Sequence, residues 1–335
     1  MRGWTKDRQL RHPRFLSVRG IDPASKAAPA PVKEKKSKLM AKSAKAEIGS
    51  KVVITHPDRV IFPDAGVTKQ DIADYYEAVS ALMMPHLEDR PVSFVRAPES
   101  IAKETFFQRH ALNGMKTGIT KVPDPDGKHD DFVAIADTSG LRVCAQFGIV
   151  ELHGWGARLP KLDRPDRMVF DLDPDDKVPF VVVKDAALRL RDMLDEIDLV
   201  SFPMLSGGKG LHVIVPLDAS QDWDTIGIVT KGMARGLAES DPEHFIATAS
   251  KAQRSGKIYI DWLRNKMSAT AIVPWSLRAR ATASVAAPVT WDELPKFKSP
   301  AAFTIKNFPK KNPWPKFFAV KQKIPGGAAK FLRGR

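Results

Sequence analysis

Two aspartates alternate with apolar residues in the stretch Val169-Phe-Asp-Leu-Asp-Pro174. Because side chains alternate across a strand, this period of two predicts a β-strand that presents Asp171 and Asp173 on one face. Pro174 cannot continue a central strand, so the strand is expected to end there and to leave the acids at its mouth. Adjacent carboxylates repel unless a cation neutralises them, and a divalent metal ion commonly does so. Taken alone, an Asp-x-Asp strand end is more often a solvated surface feature.

A glycine-rich loop, Ser206-Gly-Gly-Lys-Gly-Leu-His212, joins two predicted strands over 200–205 and 211–216. Its glycines allow backbone N–H groups to approach a phosphate, while Lys209 offers a positive charge and Ser206 and His212 offer hydrogen bonds. The spacing is not that of a P-loop, and a strand instead of a helix is predicted to follow. An ordinary glycine hairpin is the alternative for this loop alone.

A third acid, Asp261, lies in a predicted strand over 257–263. Three carboxylates on strands, at 171, 173 and 261, could hold two divalent ions, as in two-metal phosphoryl transfer. An acidic strand on either side of the glycine-rich loop favours nucleotide chemistry over the hairpin alternative.

The surrounding pattern predicts the elements that position these residues. A capping box from Thr68 to Asp71 starts a helix that is expected to stop near Pro85. Strands are predicted over 52–55 and 91–96, a loop or hairpin tip over 121–131, and helices over 141–152, 182–197 and 223–237. Strands and helices mix without a regular βαβ repeat, so the predicted fold class is α+β, with mixed or antiparallel sheets flanked by helices.

Composition excludes several classes of protein. The chain has 335 residues and one cysteine, Cys144, which excludes an intrachain disulfide and a cysteine zinc site and fits a reducing cytoplasm. No apolar run approaches the ~18 residues that span a bilayer, so no membrane partner is expected. We expect a cytoplasmic protein.

The formal net charge of +14 is carried by the two ends. Residues 1–50 and 306–335 each carry +9, whereas residues 51–305 carry −4. Basic ends suggest a polyanionic partner held without sequence readout, although such tails are often only solubilising. The composition of 23–50 predicts a flexible basic linker, and 301–335 is expected to form a basic tail. For 306–335, docking on the body and docking on DNA are both open.

Several motifs together resemble one known family, the polymerase domain of bacterial DNA ligase D, a member of the archaeo-eukaryotic primase superfamily. The resemblance runs from about residue 51 to residue 300. It is carried, besides the Asp-x-Asp strand and the glycine-rich loop, by Thr55-His-Pro-Asp-Arg-Val-Ile-Phe-Pro63, Phe106-Phe-Gln-Arg-His110, Glu151-Leu-His-Gly-Trp155, Ile260-Asp-Trp-Leu-Arg-Asn265 and Val273-Pro-Trp-Ser-Leu-Arg-Ala-Arg280.

The resemblance implies a primase-like catalytic core over 51–300 that acts as a two-metal nucleotidyltransferase on NTP or dNTP substrates. Manganese or magnesium ions would be held by Asp171, Asp173 and Asp261. The incoming nucleotide would be held by His153, Ser206, Lys209, His212, Arg264, Arg278 and Arg280. Without the resemblance, a lone histidine such as His153 is more often a core or capping residue.

The resemblance also implies contacts with DNA. Phe106 and Phe107 match a pair that stacks on template bases, whereas adjacent aromatics in a strand are usually one core and one surface residue. Arg59 and Lys69 match two basic residues that hold the 5′-phosphate across a gap. Family members more often carry lysine at the first position, and arginine would bind phosphate in a bidentate manner. The alternative for both is an exposed surface charge.

The first residues resemble the end of a ligase. Residues 3–15 look like the last part of the OB domain of an ATP-dependent ligase, so 1–22 is expected to be a remnant of that domain. The adenylation motif Lys-x-Asp-Gly is absent, so no nick sealing is expected. The family implies a ligase module in cis or in trans and the end-binding protein Ku as partners.

The sequence thus predicts a polymerase that adds nucleotides, preferentially ribonucleotides, to DNA 3′ ends at gaps and double-strand breaks in bacterial non-homologous end joining. One alternative is a metal-dependent glycosyltransferase that uses a nucleotide sugar. Another is a non-catalytic adaptor that recognises 5′-phosphorylated DNA ends and recruits Ku or a ligase.

Overall fold

The computed structural model of the chain describes residues 52–125, 127 and 130–333. The predictions for 1–22 and 23–50 lie outside the described residues. The described helices are α1 (Lys69–Leu87), α2 (Thr138–Gln146), α3 (Phe180–Asp195), α4 (Trp223–Ser240) and α5 (Gly326–Arg333). The described strands are β1 (Val60–Phe62), β2 (Val67–Thr68), β3 (Pro91–Arg96), β4 (Phe106–Gln108), β5 (Ile119–Val122), β6 (Phe132–Ile135), β7 (Ile149–Trp155), β8 (Ala157–Arg158), β9 (Lys161–Pro165), β10 (Arg167–Pro174), β11 (Phe202–Leu205), β12 (Leu211–Pro216), β13 (Phe245–Ile246), β14 (Ile258–Asp261), β15 (Thr270–Ile272) and β16 (Ala287–Pro288).

Two sheets of six strands organise this part of the chain. Sheet I has the order β13-β14-β10-β12-β11-β16, and sheet II has the order β15-β7-β3-β6-β5 with β4 paired to β3. Neighbouring strands of the two sheets pair antiparallel, except β13 with β14. The prediction of an α+β fold with mixed or antiparallel sheets flanked by helices is confirmed.

Each sheet buries one face under helices. Phe170 and Leu172 of β10 pack under α3 and α4 in one core, and α1 and α2 cover sheet II in another. Because side chains alternate along β10, Asp171 and Asp173 lie on the opposite face. On that face Val169 packs against Ile272 of sheet II, so the acids lie where the two sheets meet.

Helix α1 begins where the capping box predicts, and it ends at Leu87, two residues after Pro85. Thr68 and Asp71 cap each other, and the helix continues through Pro85 to Leu87. A proline removes only its own backbone donor. The Glu88 N–H still donates to the Met84 carbonyl oxygen at 2.9 Å, so the last turn closes around the proline.

The predicted helix over 141–152 is wrong in its second half. Helix α2 ends at Gln146, and Gly148 then takes a positive φ of 70°. The apolar residues that follow form β7, which pairs with β3 and β15. A continuous apolar run fits a buried strand as well as a buried helix, and periodicity alone does not separate the two.

Residues 52–55 do not form the predicted strand. Side chains of α2 satisfy their backbone instead: Arg142 Nε donates to the Val52 carbonyl oxygen at 2.9 Å, and the Thr55 N–H donates to Gln146 Oε1 at 2.8 Å. The predicted hairpin tip at 121–131 is confirmed, because it joins β5 to β6.

The segment after residue 300 packs on the body of the protein over its described residues. Trp314, Phe317 and Ile324 are buried in the cores, and Trp314 Nε1 donates to the Val289 carbonyl oxygen at 2.8 Å. Of the two positions left open for the expected basic tail, docking on the body is the one observed. None of the described helices is both long enough and apolar enough to span a bilayer.

Candidate active site

The three predicted metal ligands lie on adjacent strands. Strand β10 runs between β12 and β14, and Asp171 is the register partner of His212 on one side and of Asp261 on the other. Directly opposed residues of antiparallel strands have Cβ atoms ~4.5–5.5 Å apart. One patch of sheet I thus brings together Asp171, His212 and Asp261, which are up to 90 residues apart in sequence.

A guanidinium bridges the two facing carboxylates. Arg264 Nη2 is 3.2 Å from Asp171 Oδ2, and Arg264 Nε is 3.1 Å from Asp261 Oδ2. His212 Nε2 lies 3.2 Å from the other oxygen of Asp171. Burial alone would raise the pKa of Asp171, but His212 and Arg264 overcome it and hold that pKa well below its usual range. Asp171 is therefore ionised at neutral pH.

Asp173 occupies the more open end of the strand. Its carboxylate lies 3.3 Å from Arg254 Nη1, and burial together with the negative charge of Asp171 raises its pKa. Arg254 also stacks on the ring of Tyr259, with its guanidinium carbon 3.7 Å from the ring centroid. Tyr259 in turn donates a hydrogen bond to Asp261 Oδ1 at 3.1 Å. Arg254 and Tyr259 therefore tie Asp173 to Asp261.

The chemistry of this donor set fits a divalent cation. Asp171 and Asp261 face each other and attract a cationic side chain, and the negative charge of Asp171 adds to burial in raising the pKa of Asp173. Within residues 52–125, 127 and 130–333, no group of three or more His, Cys, Asp or Glu is arranged so that it could hold a metal ion. In this structure Arg264 occupies the space between Asp171 and Asp261.

The glycine-rich loop lies directly against the acidic strand. An added Cβ on Gly210 would meet the Leu172 carbonyl oxygen at 2.0 Å, so only glycine allows this approach of the two backbones. Ser206 Oγ donates to the Gly210 carbonyl oxygen at 2.8 Å and accepts from the Gly208 N–H at 3.2 Å. The half-exposed Lys209 forms an ion pair with Asp176. Ser206 thus shapes the loop, and Lys209 lies at its outer edge.

Sheet II contributes a second cluster of polar residues. Glu151 and His153 lie on the same face of β7, and His153 Nε2 donates to Glu151 Oε2 at 2.7 Å. Glu151 Oε1 accepts from Arg278 Nε at 3.1 Å and from the Ala279 N–H at 2.7 Å. Burial alone would raise the pKa of Glu151, but His153 and Arg278 lower it to about 2.

Arg278 joins this cluster to the glycine-rich loop. Its Nη1 donates to the Ser206 carbonyl oxygen at 3.0 Å. Arg278 follows β15 of sheet II in sequence, and Ser206 begins the loop between β11 and β12 of sheet I, so this bond links the two sheets. The structure therefore brings together His153, Ser206 and Arg278. Arg280, predicted beside them, is exposed on the surface.

The predicted stacking residues are solvent-exposed. Phe106 and Phe107 on β4 are 43% and 55% exposed, so neither is a core residue. The Phe107 ring meets the His153 ring edge to face, with centroids 6.2 Å apart. An exposed aromatic pair next to a predicted nucleotide-binding histidine is well placed to stack on a base.

The structure also brings Arg59 and Lys69 together. The Lys69 N–H donates to the Arg59 carbonyl oxygen at 2.9 Å, and burial together with the charge of Arg59 lowers the pKa of the Lys69 side chain. Lys69 Nζ donates to the Thr55 carbonyl oxygen at 2.9 Å, whereas Arg59 Nη1 donates to the Pro98 carbonyl oxygen at 3.0 Å. Lys69 is thus buried, and Arg59 is exposed beside it.

Four residues of this region were not singled out from the sequence: Glu151, Asp176, Arg254 and Tyr259. Tyr259 could have been found, because the period of two in β14 places it on the same face as Asp261. Glu151 could have been found in the same way, because it lies two residues before His153 on β7 and therefore on the same face. Arg254 and Asp176 lie in loops, where no periodicity marks them.

Comparison with known proteins identifies the family. Residues 68–313 match the family described as LigD, primase-polymerase domain. The multifunctional non-homologous end joining protein LigD of Pseudomonas aeruginosa is 34% identical over 306 residues, which cover 89% of this chain and 36% of that protein. The bifunctional protein LigD of Bacillus subtilis is 31% identical over 256 residues, which cover 76% of this chain and 41% of that protein. This chain spans less than half the length of these relatives.

A solved structure agrees with this match. The polymerase domain of ligase D from Mycobacterium tuberculosis, in complex with DNA, is 33% identical and superposes with a TM-score of 0.71 over 77% of this chain and 93% of that domain. With a family match over residues 68–313 and relatives at 34% identity, the chain belongs to the LigD primase-polymerase domain family.

Proposed function

We propose that this chain is a primase-type nucleotidyltransferase that adds nucleotides to DNA 3′ ends during the repair of gaps and double-strand breaks. The observation that carries the proposal is the register of sheet I. It sets Asp171 opposite both Asp261 and His212, directly beside the glycine-rich loop. Family membership supports the same activity.

In this proposal Asp171, Asp173 and Asp261 hold two divalent ions, manganese or magnesium. When bound, such ions activate the attacking 3′ hydroxyl and stabilise the leaving pyrophosphate. Arg264 pairs with Asp171 and Asp261 in this structure, and in this proposal it exchanges them for the triphosphate when nucleotide binds. His212 keeps its contact with Asp171 and fixes the orientation of that carboxylate.

The glycine-rich loop and sheet II hold the nucleotide. The ammonium group of Lys209 contacts the phosphates from the loop, and Arg278 and His153 approach them from sheet II. Arg280, on the exposed rim, supplies a further positive charge. These groups bind the triphosphate in the ground state and in the transition state alike, and they place its α-phosphate for attack by the 3′ hydroxyl.

Phe106 and Phe107 supply a stacking surface for template bases, and Arg59 and Lys69 bind the 5′-phosphate on the far side of a gap. The neighbouring solved domain contains DNA, which supports nucleic acid as the partner of this family. We further propose that the chain prefers ribonucleotides, works in the bacterial cytoplasm with Ku and a ligase module in cis or in trans, and does not seal nicks itself.

The test is nucleotide addition to a duplex with a 5′-phosphorylated gap, using manganese and each of the four NTPs or dNTPs. The proposal predicts extension of the primer, faster with NTPs, and more extension with a 5′-phosphate than with a 5′-hydroxyl. Binding of the gapped duplex without any extension would contradict the polymerase function and support the non-catalytic adaptor. Transfer from a nucleotide sugar in place of a triphosphate would support the glycosyltransferase.

A further inference from the structure

Glu151 is a buried carboxylate that accepts three hydrogen bonds. Its side chain is 8% exposed, and its two oxygens are bonded to His153 Nε2, Arg278 Nε and the Ala279 N–H at 2.7–3.1 Å. Hydrogen bonds to an ionised group are stronger than neutral ones. All three donors thus converge on one ionised side chain.

The three donors come from two different parts of the chain. His153 lies two residues from Glu151 on β7, whose neighbours β3 and β15 fix its backbone. Arg278 and Ala279 lie in the segment that follows β15, more than 120 residues later in the sequence. Through the bond from Arg278 Nη1 to the Ser206 carbonyl oxygen, the same network reaches the glycine-rich loop.

These bonds determine which atoms remain free for a ligand. With Nε2 of His153 bound to Glu151, only Nδ1 of that ring is left to contact another molecule. With Nε and Nη1 of Arg278 engaged, its Nη2, next to Gly208, is the end of the guanidinium available to a phosphate. Without the carboxylate, the imidazole can rotate and the guanidinium keeps only its bond to Ser206.

We propose that Glu151 is a positioning residue for nucleotide binding, which holds His153 and Arg278 in the orientations that contact the triphosphate substrate. This inference rests on the proposed polymerase function and adds to it a residue that does not touch the substrate itself. Its carboxylate is ionised at neutral pH, because His153 and Arg278 lower the pKa of Glu151 to about 2.

The test is Glu151→Gln, which keeps the shape of the side chain and removes its charge. We expect the KM for NTP to rise about tenfold or more, because charged hydrogen bonds are lost. Since His153 and Arg278 bind substrate and transition state alike, kcat should change less than about threefold. The Kd for gapped duplex should stay within about twofold.

Asp166→Asn is the matched control. Asp166 is also a carboxylate paired with arginines, Arg90 and Arg158, but it contacts no predicted nucleotide residue. It should lower the melting temperature and leave the KM for NTP unchanged. A KM that rises equally in both variants, or that stays at the wild-type value in Glu151→Gln, overturns the inference. Should Glu151→Gln fail to fold, the shorter carboxylate of Glu151→Asp, which cannot span both partners, must raise KM in the same direction.

A double-mutant cycle with His153→Ala separates positioning from a general structural role. If Glu151 acts partly through His153, Glu151→Gln must raise KM clearly less in the His153→Ala background than in the wild type. If the KM increases of the two single variants multiply in the double variant, the inference is contradicted.

Failure of the proposed function itself is recognisable in the same experiments. If the wild type does not extend primers, the Kd of a fluorescent ATP analogue tests whether Glu151 has the positioning role. Binding by the wild type that weakens about tenfold in Glu151→Gln retains the positioning role without the polymerase. No binding by the wild type overturns both.

Discussion

At the scale of single residues, the central feature is the position of Arg264. Its guanidinium contacts Asp171 and Asp261 at 3.2 and 3.1 Å, where a divalent ion would be expected. One positive side chain thereby offsets part of the negative charge of two facing carboxylates. A metal ion at the proposed site would compete with this internal ion pair.

Arg264→Gln should therefore make the protein more dependent on metal. The neutral amide leaves the carboxylates to repel each other, so the melting temperature without metal should fall. Manganese should then raise the melting temperature by more than it does in the wild type, since it relieves a larger repulsion. Thermal unfolding with and without manganese measures both. Arg235→Gln, at an exposed position of α4, is the control. Equal manganese shifts in all three proteins would contradict this role of Arg264.

Arg59→Ala should remove the preference for a 5′-phosphorylated gap. Arg59 is exposed beside the buried Lys69, so it is the more accessible of the two charges. Loss of a charge-assisted contact should weaken binding of 5′-phosphorylated duplex by about tenfold and leave binding of 5′-hydroxyl duplex almost unchanged. Fluorescence anisotropy with both duplexes measures this. If Arg59→Ala weakens both equally, Arg59 is a general DNA contact.

A site residue could be predicted where the local sequence pattern indicates its position. Asp171, Asp173 and Asp261 lie in strands whose alternation shows which face they occupy, and the glycines mark the loop at 206–212. Nothing in the sequence pairs Glu151 with Arg278, which follows it by 127 residues. The position of Arg264 between the acids also depends on tertiary structure, although the residue itself was predicted.

At the scale of elements, the site depends on the close approach of the glycine-rich loop to β10. Gly210→Ala would bring a Cβ to 2.0 Å from the Leu172 carbonyl oxygen, so the strands must separate. We expect a loss of about 1–3 kcal/mol in the free energy of unfolding, and loss of nucleotide addition.

Gly236→Ala is the matched change on α4, where the nearest atom to the new Cβ is 3.9 Å away. It should stabilise the protein by about 0.5–1 kcal/mol, because alanine favours a helix. Urea unfolding and primer extension measure both variants. Equal stability and activity of the two would contradict the role of the close approach.

The elements that the sequence predicted wrongly share one physical cause. Over 141–152 the apolar run continues through Gly148, and only the pairing of β7 with β3 and β15 makes its second half a strand. At 52–55, the side chains of Arg142 and Gln146 replace a partner strand. In both cases contacts with distant residues outweigh the local pattern.

At the scale of the whole molecule, Asp166 links α1 and the strands that follow it to β10. Its carboxylate lies 2.6 Å from Arg90 and 2.8 Å from Arg158, and Arg90 is completely buried. Burial alone would raise the pKa of Asp166, but these arginines and Arg167 hold it well below its usual range. Removing the charge leaves buried arginines without their partner.

Asp166→Asn should lower the free energy of unfolding by about 3–5 kcal/mol at neutral pH. Because the pKa of Asp166 is depressed in the folded state, its contribution is complete above the unfolded pKa of about 3.9 and is lost as pH falls below it. The difference between wild type and variant should therefore shrink as pH falls from about 5 to about 3. Urea unfolding at several pH values measures it, and a constant difference would contradict the assignment.

The positive charge of the C-terminal segment does not predict how that segment packs. The described part of 301–333 buries Trp314 and Phe317 in the body, although its charge pattern resembles that of a solvated tail. Net charge describes partners and solubility, whereas the apolar residues between the lysines decide the packing.

The most direct test of the central claim is nucleotide addition at a one-nucleotide gap by the wild type, Asp171→Asn and the control Asp185→Asn, an exposed acid on α3. If sheet I holds the catalytic acids, the wild type and Asp185→Asn extend the primer at equal rates. Asp171→Asn, which still binds the duplex, loses extension by at least about a hundredfold. Extension by Asp171→Asn at the wild-type rate would show that the catalytic site lies elsewhere in the protein.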